Sequence, residues 1–317
     1  MQRSMYLAVA FLFVLSLPTF AQTVIATIPV GRQPVYLAVD PKHDRVYVTN
    51  QADNTVSIIN GKSYKVMATI RVGKTPNGIA VDPQANKLYV ANFRGSSISM
   101  IDLTTLKSKK IALGPSPAKI AVNSATNRIY VTLENRDGGL AVIDGASGKL
   151  LTIVDVPAYP LSLVVNPRNN RILVGDFLCG CGQITVVDGN TNRIRKTITV
   201  PGATELDGVA LDQVNHYIYV TDESSGFYVV DEGTGQLVGS LNNLSFPNEV
   251  SSIRKSMLAV EPDTGSNSAI FIDTSSMTIR AQVPVGNFPT GVAVDSQRGK
   301  VYVANRNDGT VSVISLN

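Results

Sequence analysis

The amino-acid sequence predicts an all-β fold, a seven-bladed β-propeller of four-stranded antiparallel blades. The first observation is an internal repeat, because a strand-like segment ending near Val-Gly begins near positions 28, 70, 111, 154, 198, 241 and 283. Successive starts lie 41 to 44 residues apart. The second is that four short β-like runs recur in each period, and the third is that helical periodicity is absent after the first 21 residues. Four strands in a period of this length are typical of a propeller blade.

The first strand of each blade is predicted from a recurring pattern. It opens with proline in all periods but the fifth, at Pro34, Pro76, Pro117, Pro160, Pro247 and Pro289. Four positions later stands a residue that is usually alanine, and Asp or Asn follows in most periods. Small residues suit a crowded position, so we expect this strand to be the innermost of its blade. Sequences such as Asp40-Pro41 favour a type I turn directly after it.

The other three strands are plainest in the second period. There the four predicted strands cover residues 78–81, 87–91, 97–101 and 108–113, with Gly, Asn and Asp between them. The seventh period stops at Asn317 after three strands. Its missing outer strand has a counterpart near the other end, because 23–28 (TVIATI) resembles 65–70 (KVMATI). We therefore expect residues 23–28 to complete the last blade and close the ring, which leaves no raw edge there.

The N-terminus predicts export. Arg3 precedes an apolar run over 6–17 that only Ser16 interrupts, and Pro18 and Ala21 follow. This is the layout of a signal peptide covering 1–21, and the run is too short to span a bilayer. The expected mature protein, 22–317, is a monomer in the periplasm, at the cell surface or in the medium, with no membrane span after cleavage.

The charge composition gives no nucleic-acid signal. The chain has 28 Lys and Arg against 24 Asp and Glu, a formal net charge of +4. A nucleic-acid-binding protein concentrates its basic residues in one stripe. Here they are scattered mostly singly, and the adjacent pairs Lys109-Lys110, Arg195-Lys196 and Arg254-Lys255 are far apart in the sequence.

The literal run Tyr47-Val48-Thr49-Asn50, together with the patterns Pro-x-x-Ile-Ala-Val-Asp and Val-Ser-x-Ile-Asp, resembles the YVTN family of β-propeller repeats. The resemblance covers 23–317. It is strong in blades 1, 2, 3 and 7, weaker in blades 4 and 5, and poorest in blade 6, where Ser251-Ser252-Ile253-Arg254 replaces the usual Ala-Val-Asp. It implies the propeller fold but no particular activity.

When the seven repeats are aligned, one position carries the candidate ligand-binding residues, and we call this position the column. We define the loop face as the end of the ring formed by the loops from second to third strands and from fourth to first strands. The residue aligned with the end of each second strand is, around the ring, Asn50, Asn92, Leu133, Asp176, Asp222, Glu261 and Asn305. Blades 4 to 6 thus carry carboxylates, which bind a hard cation such as Ca²⁺ or orient a charged partner. The alternative is that these side chains only form turns with the backbone.

Further charges are expected on the same loop face. Carboxylates in or beside its loops are Glu134, Asp137, Asp207, Glu223, Glu249 and Asp263. Cations fall on the opposite arc, at Arg32, Lys74, Arg94 and Arg306. The sequence therefore predicts a polarised face.

Cys179-Gly180-Cys181 holds the chain's only two cysteines. In an oxidising compartment they are expected to form a tight disulfide that stiffens the blade 4 loop. Free thiols and a redox or metal role remain alternatives, although two thiolates alone make a poor zinc site.

Three functions stay open at this point. The leading hypothesis is an exported, non-enzymatic scaffold that binds a protein, peptide or envelope component through its loop face. The second is a propeller enzyme, or a subunit of a redox enzyme, with a carboxylate-lined site at the channel mouth, with or without a metal. The third is a structural surface-layer component. No catalytic residue is predicted, because the sequence lacks Gly-x-Ser-x-Gly, Gly-x-Gly-x-x-Gly, P-loop and Cys-x-x-Cys-His motifs.

Overall fold

The computed structural model describes residues 22–177, 180–224 and 226–316 and confirms the all-β propeller. The predicted signal peptide, 1–21, lies outside these residues. Within them, 28 strands form seven four-stranded antiparallel sheets, and each sheet is one blade. No helix in these ranges combines the length and the apolar character needed to cross a membrane.

The blades follow one another along the chain. Blade 1 consists of β2 (Pro34–Asp40), β3 (Arg45–Asn50), β4 (Thr55–Asn60) and β5 (Lys65–Arg71), and blade 2 of β6 (Pro76–Asp82), β7 (Lys87–Asn92), β8 (Ser97–Asp102) and β9 (Ser108–Ala112). Blade 3 consists of β10 (Pro117–Asn123), β11 (Arg128–Leu133), β12 (Leu140–Asp144) and β13 (Leu150–Val154), and blade 4 of β14 (Pro160–Asn166), β15 (Arg171–Asp176), β16 (Gln183–Asp188) and β17 (Arg193–Thr199). Blade 5 consists of β18 (Leu206–Asp212), β19 (Tyr217–Asp222), β20 (Gly226–Asp231) and β21 (Leu237–Asn242), and blade 6 of β22 (Ser251–Ile253), β23 (Leu258–Asp263), β24 (Ser268–Asp273) and β25 (Thr278–Pro284). Blade 7 consists of β26 (Pro289–Asp295), β27 (Lys300–Asn305), β28 (Thr310–Ser315) and β1 (Thr23–Pro29), and a 3₁₀ turn covers Phe93–Gly95.

The ring is closed by the N-terminal strand, as predicted. Strand β1 pairs antiparallel with β28, so that Thr23 lies opposite Ser315 and Ile28 lies opposite Val311. Blade 7 therefore joins the two ends of the described chain. No neighbouring blade contributes a strand to this sheet, so the pairing of β1 with β28 holds the ring shut.

Both faces of each blade are buried against the neighbouring blades. This explains why strands such as β3 have consecutive apolar residues rather than an alternation of apolar and polar ones. In β3, Val46 and Val48 pack in the interface with blade 7, whereas Tyr47 packs in the interface with blade 2. β-branched and aromatic side chains favour such strands. The buried apolar side chains of the described residues form seven clusters, one at each interface between adjacent blades.

The acid that follows an innermost strand forms the turn predicted for it. Asp40 Oδ1 accepts hydrogen bonds from the N–H groups of Lys42 (3.1 Å) and His43 (3.3 Å), and Asp44 follows with φ of 53°. Asp82 accepts the same pair of bonds in blade 2. These are Asx turns, in which the side chain satisfies backbone donors that the strand leaves unpaired.

The seven innermost strands contact one another around a central channel. β2, β6, β10, β14, β18, β22 and β26 each contact the innermost strands of both neighbouring blades. β22 has only three residues, and it lies in blade 6, where the repeat pattern is poorest. The chain before it, 243–250, is irregular and borders the loop face. Irregular chain therefore replaces part of the innermost strand at blade 6, and Phe246 and Asn248 of this segment line the channel mouth.

Candidate binding site at the channel mouth

The structure buries all six predicted ligand-binding side chains. Asn50, Asn92, Asp176, Asp222, Glu261 and Asn305 are each 0% exposed. In this position none of them is open to a ligand at the loop face. Their role in ligand binding stays a prediction, and their burial does not favour it.

The alignment of Glu261 with Asn50 is wrong by two residues. β23 begins at Leu258, opposite Asp273, and ends at Asp263, opposite Ser268. Asn50 occupies the matching last position of β3, opposite Thr55. The equivalent of Asn50 in blade 6 is therefore Asp263. The sequence was misleading because β22 and the start of β23 lack the usual repeat pattern, and backbone pairing sets the register.

Asn92 and Asn305 hold a loop against the third strand of their blade, whereas Asn50 bonds only to the third strand and its Oδ1 has no partner. Asn92 Oδ1 accepts a hydrogen bond from Gly73 N–H at 3.0 Å, and Asn92 Nδ2 donates to the hydroxyls of Ser97 and Ser99 at 3.3 and 3.1 Å. Asn305 makes the same set with Gly286, Thr310 and Ser312. A Cβ on Gly73 would lie 2.5 Å from Asn92 Cγ, so the loop needs glycine there.

Two of the carboxylates anchor loops in a similar way. Asp222 Oδ2 accepts a hydrogen bond from Thr204 N–H at 2.5 Å, and its Oδ1 accepts from the N–H and hydroxyl of Ser224 at 2.8 and 2.6 Å. Asp263 accepts from the N–H groups of Ser245 and Ser266. These contacts match the turn-forming alternative.

Asp176 is an exception, because its two carboxyl oxygens have no hydrogen-bond partner and neither has the buried Thr185 hydroxyl. The backbone N–H that would donate to Asp176 from the preceding loop is absent, because a proline occupies that position. Gly73 and Gly286 stand three residues before the proline of their innermost strand, and Pro157 occupies that position in blade 4. Proline has no N–H to donate. Burial raises the pKa of Asp176 to about 7.

Glu261 is a second buried carboxyl group without a partner for either oxygen. Burial, with a smaller contribution from Asp263, raises its pKa well above the usual value for glutamate. The matching strand position in the other six blades is valine, at Val48, Val90, Val131, Val174, Val220 and Val303. Glu261 therefore replaces a core valine at the contact between blades 5 and 6.

A cavity of about 630 Å³ opens at the loop face over the channel mouth. Its apolar part is formed by Phe177, Phe246 and Phe288, and its charged part by Asp207 and Glu223 of blade 5 and Arg306 of blade 7. Phe246 is 59% exposed and Phe288 is 37% exposed. A cavity of this volume, with apolar walls and a few polar groups, is typical of a ligand site.

An ion pair crosses the channel beneath this cavity. Lys119 of β10 places Nζ 2.6 Å from Glu249 Oε1, which precedes β22 across the ring. The same Nζ lies 3.5 Å from the centre of the Tyr36 ring, a cation–π contact. Glu249 Oε2 also accepts a hydrogen bond from Val292 N–H at 3.2 Å. Tyr36 lines the mouth cavity and Glu249 lines a second cavity of about 360 Å³ deeper in the channel, so the pair separates the two.

Carboxyl groups outnumber cations in the mouth cavity, with Asp207 and Glu223 against Arg306. Burial raises the pKa of Asp207 to about 7. Lys119 opposes this shift, and Glu223, Glu249 and Glu134 add to it. Asp207 keeps part of its surface open to the cavity. Among the described residues, the side chains of Asp207 and Glu223 have no hydrogen bond and no ion pair, whereas Arg306 donates to Gln51 Oε1 at 3.2 Å.

The sequence placed part of this site correctly and missed the rest. Asp207, Glu223, Glu249 and Arg306 were expected at the loop face, and they line or border the channel mouth. Lys119 was missed, although its place in a strand of otherwise small and apolar residues was a usable signal. The phenylalanines were missed because the residue type at their loop positions varies between blades, as at Phe288, where blades 1 and 2 carry Gln33 and Thr75.

The pairing of the two cysteines and calcium binding both stay predictions. Cys181 is disulfide-bonded and is not a free thiol, whereas Cys179 lies outside the described residues, so their pairing stays a prediction. Among the residues that the structure describes, no three His, Cys, Asp or Glu side chains are grouped so that they could hold a metal ion.

Comparison with known proteins identifies the family. A family model described as YNCE-like beta-propeller matches residues 13–314. The chain belongs to this family. Proteins named YncE and described as uncharacterized, from Salmonella typhi and Salmonella typhimurium, are 26% identical over a 214-residue alignment, and the match covers 62% of this chain and 59% of theirs. The match thus spans less than two thirds of the length of these curated relatives.

A solved structure shares the fold at low sequence identity. A chain of hydrazine synthase from Kuenenia stuttgartiensis superposes with a TM-score of 0.82 and 18% identity, over 89% of this chain and 95% of that one. At this identity the likeness concerns the fold alone. The resemblance to β-propeller repeats drawn from the sequence is confirmed.

Proposed function

We propose that this chain is an exported, non-enzymatic β-propeller that binds a protein or peptide segment of the cell envelope in the mouth cavity of its loop face. The observation that carries the proposal is the cavity itself, about 630 Å³ in volume, with exposed phenylalanines beside unpaired carboxyl groups. The rigid ring presents these loops with little freedom to lose on binding.

The exposed phenylalanines support recognition of an apolar side chain. Phe246 and Phe288 both come from loops that lead into an innermost strand, and both line the cavity. Aromatic residues are enriched at protein interfaces and carry much of their binding energy. A peptide segment of a few residues fits the volume, and its apolar side chain would contact these rings.

Export is supported by the N-terminal pattern of Arg3, the apolar run over 6–17 and Ala21. The test is expression of the full chain in a bacterial host, followed by fractionation and mass measurement of the mature form. A mature N-terminus at Gln22 outside the cytoplasm is expected. Retention of residues 1–21 in the cytoplasm would contradict export.

Binding is tested by panning a displayed library of random peptides against the purified protein. Selected peptides are expected to lose most of their affinity for the Phe246→Ser and Phe288→Ser variants. The matched control is Val238→Ser, which removes a side chain of similar exposure, 52%, from the outer strand β21. Equal binding to all variants would place the peptide site elsewhere. Ordered self-assembly of the purified protein would instead favour a surface-layer component.

A further inference from the structure

We propose that Asp207 in the mouth cavity binds an organic ammonium group, carried by a lysine side chain or by the N-terminus of a peptide. This inference rests on the proposed function and names the chemistry that the same cavity recognises. It is argued from the unpaired carboxyl groups, from the chain's own use of an ammonium ion in the channel, and from the aromatic wall.

The acidic side of the cavity has two carboxyl groups that no described residue pairs with. Asp207 is the second residue of β18, and Glu223 follows the end of β19, so both project from blade 5 at the channel mouth. Neither side chain has a hydrogen bond or ion pair among the described residues. Arg306 is the one cation among the described lining residues, and it donates to Gln51 of blade 1. A ligand cation therefore meets unpaired acceptors.

The channel already holds one ammonium group in this chemical setting. Lys119 Nζ contacts Glu249 Oε1 at 2.6 Å and the face of Tyr36 at 3.5 Å. Carboxylate and aromatic face together are the two partners that an ammonium ion prefers. Asp207 and Phe246 both line the open part of the cavity, where no cation of the described chain pairs with the carboxyl group, so the same two kinds of partner are offered to a ligand.

The electrostatic balance around Asp207 favours a positive ligand. The groups that act on it are Lys119, Glu223, Glu249 and Glu134, and Arg306 lies across the cavity. Four carboxyl groups, counting Asp207, thus face two cations. The three glutamates raise the pKa of Asp207, and an added cation reverses that effect by stabilising the ionised form.

An organic cation fits better than a metal ion. Phe177, Phe246 and Phe288 offer apolar surface that an inorganic cation cannot use. An ammonium group on a peptide brings an apolar neighbour to cover these rings. The cavity thus selects a basic group joined to an apolar side chain.

The test uses calorimetry with three small probes and the purified protein. The probes are alanyl-phenylalanine amide with a free N-terminus, the same dipeptide N-acetylated, and N-acetyl-lysyl-phenylalanine amide. At least one ammonium-bearing probe is expected to bind about tenfold more tightly than the acetylated alanyl control. Binding of one ammonium probe and not the other identifies which source the site takes.

Variants assign the effect to Asp207. Asp207→Asn is expected to remove the roughly tenfold advantage of the ammonium probe and leave the acetylated control unchanged, whereas Arg306→Gln should not weaken the ammonium probe. Glu223→Gln gives a smaller loss and serves as a second readout if Asp207→Asn folds poorly. Circular dichroism melting checks that each variant is folded.

The pH dependence separates the two ammonium sources. Binding should strengthen roughly tenfold between pH 5.5 and pH 8, because Asp207 loses its proton near pH 7. An N-terminal amine, with an ordinary pKa of about 8, should then bind less well by pH 9, whereas a lysine side chain at about 10.4 should not.

Clear outcomes overturn the inference. Equal affinity for acetylated and ammonium probes, unchanged binding by Asp207→Asn, or no binding of any probe would each refute it. A different result distinguishes the proposed function from this inference. Library peptides that depend on Phe246 and Phe288 but not on Asp207 would uphold peptide binding and refute ammonium recognition.

Discussion

Replacing Asp176 by asparagine is expected to stabilise the propeller, and to do so more at pH 8 than at pH 4. The carboxyl group is fully buried, and neither of its oxygens has a partner. Three other blades carry asparagine at this position, where Nδ2 donates to hydroxyls of the third strand, as Asn305 does to Ser312. Thr185 is the equivalent hydroxyl in blade 4, and it too lacks a partner.

The size of the effect follows from the pKa of Asp176. Burial raises it to about 7 from the ordinary 3.8, so the folded protein binds a proton that the unfolded chain releases between these values. The resulting penalty is absent below about pH 4, grows between pH 4 and 7, and is fully present above pH 7. A shift of this size corresponds to at most about 4 kcal/mol, and relaxation of the protein around the buried charge reduces it to roughly 2 to 4 kcal/mol. For a domain of this size that is about 3 to 6 °C in Tm.

The assay is thermal unfolding followed by circular dichroism at pH 4, 6 and 8. The asparagine variant should melt higher than the parent at pH 8, by a smaller margin at pH 6, and at nearly the same temperature at pH 4. Asn92→Asp in blade 2 is the matched control, because it makes the opposite change and should lower Tm at pH 8. A pH-independent gain, or a loss of stability in the asparagine variant, would refute the reasoning.

Three further predictions concern the ring and its loops. Glu261→Val should raise the free energy of unfolding by about 2 kcal/mol at pH 8, because it removes a buried carboxyl group without partners and restores the side chain of the other blades; a lower midpoint in urea would contradict this. Deleting 23–28 should lower the unfolding midpoint and promote oligomers, since β28 loses its partner; an unchanged monomer by size exclusion would argue against closure. Unreduced protein should have a mass lower by two hydrogens than reduced protein if Cys179 and Cys181 form a disulfide, and two alkylated thiols without reductant would refute the bond.

Much of the architecture could be predicted because it repeats. Each period repeats the same alternation of apolar and polar residues and the same turn residues. A strand that is unclear in one blade can therefore be located by comparison with the other six. Closure by 23–28 was predictable for the same reason, since that segment resembles the outer strand at 65–70. Glu261 was misplaced because blade 6 departs from the pattern, and pairing with β24 sets its register.

The amino-acid order alone thus determines the repeat, the strand count and the closed ring, because these depend on local patterns within about 40 residues. The tertiary structure alone decides which polar side chains are buried and which face the channel. Asn92 and Asp176 share a column, yet Asn92 Oδ1 accepts the N–H of Gly73 whereas neither Asp176 oxygen is bonded, because Pro157 replaces that donor in the blade 4 loop. Lys119 meets Glu249 only because the ring brings blades 3 and 6 together across its axis. The cavity exists where loops of separate blades converge, and no single repeat encodes that convergence.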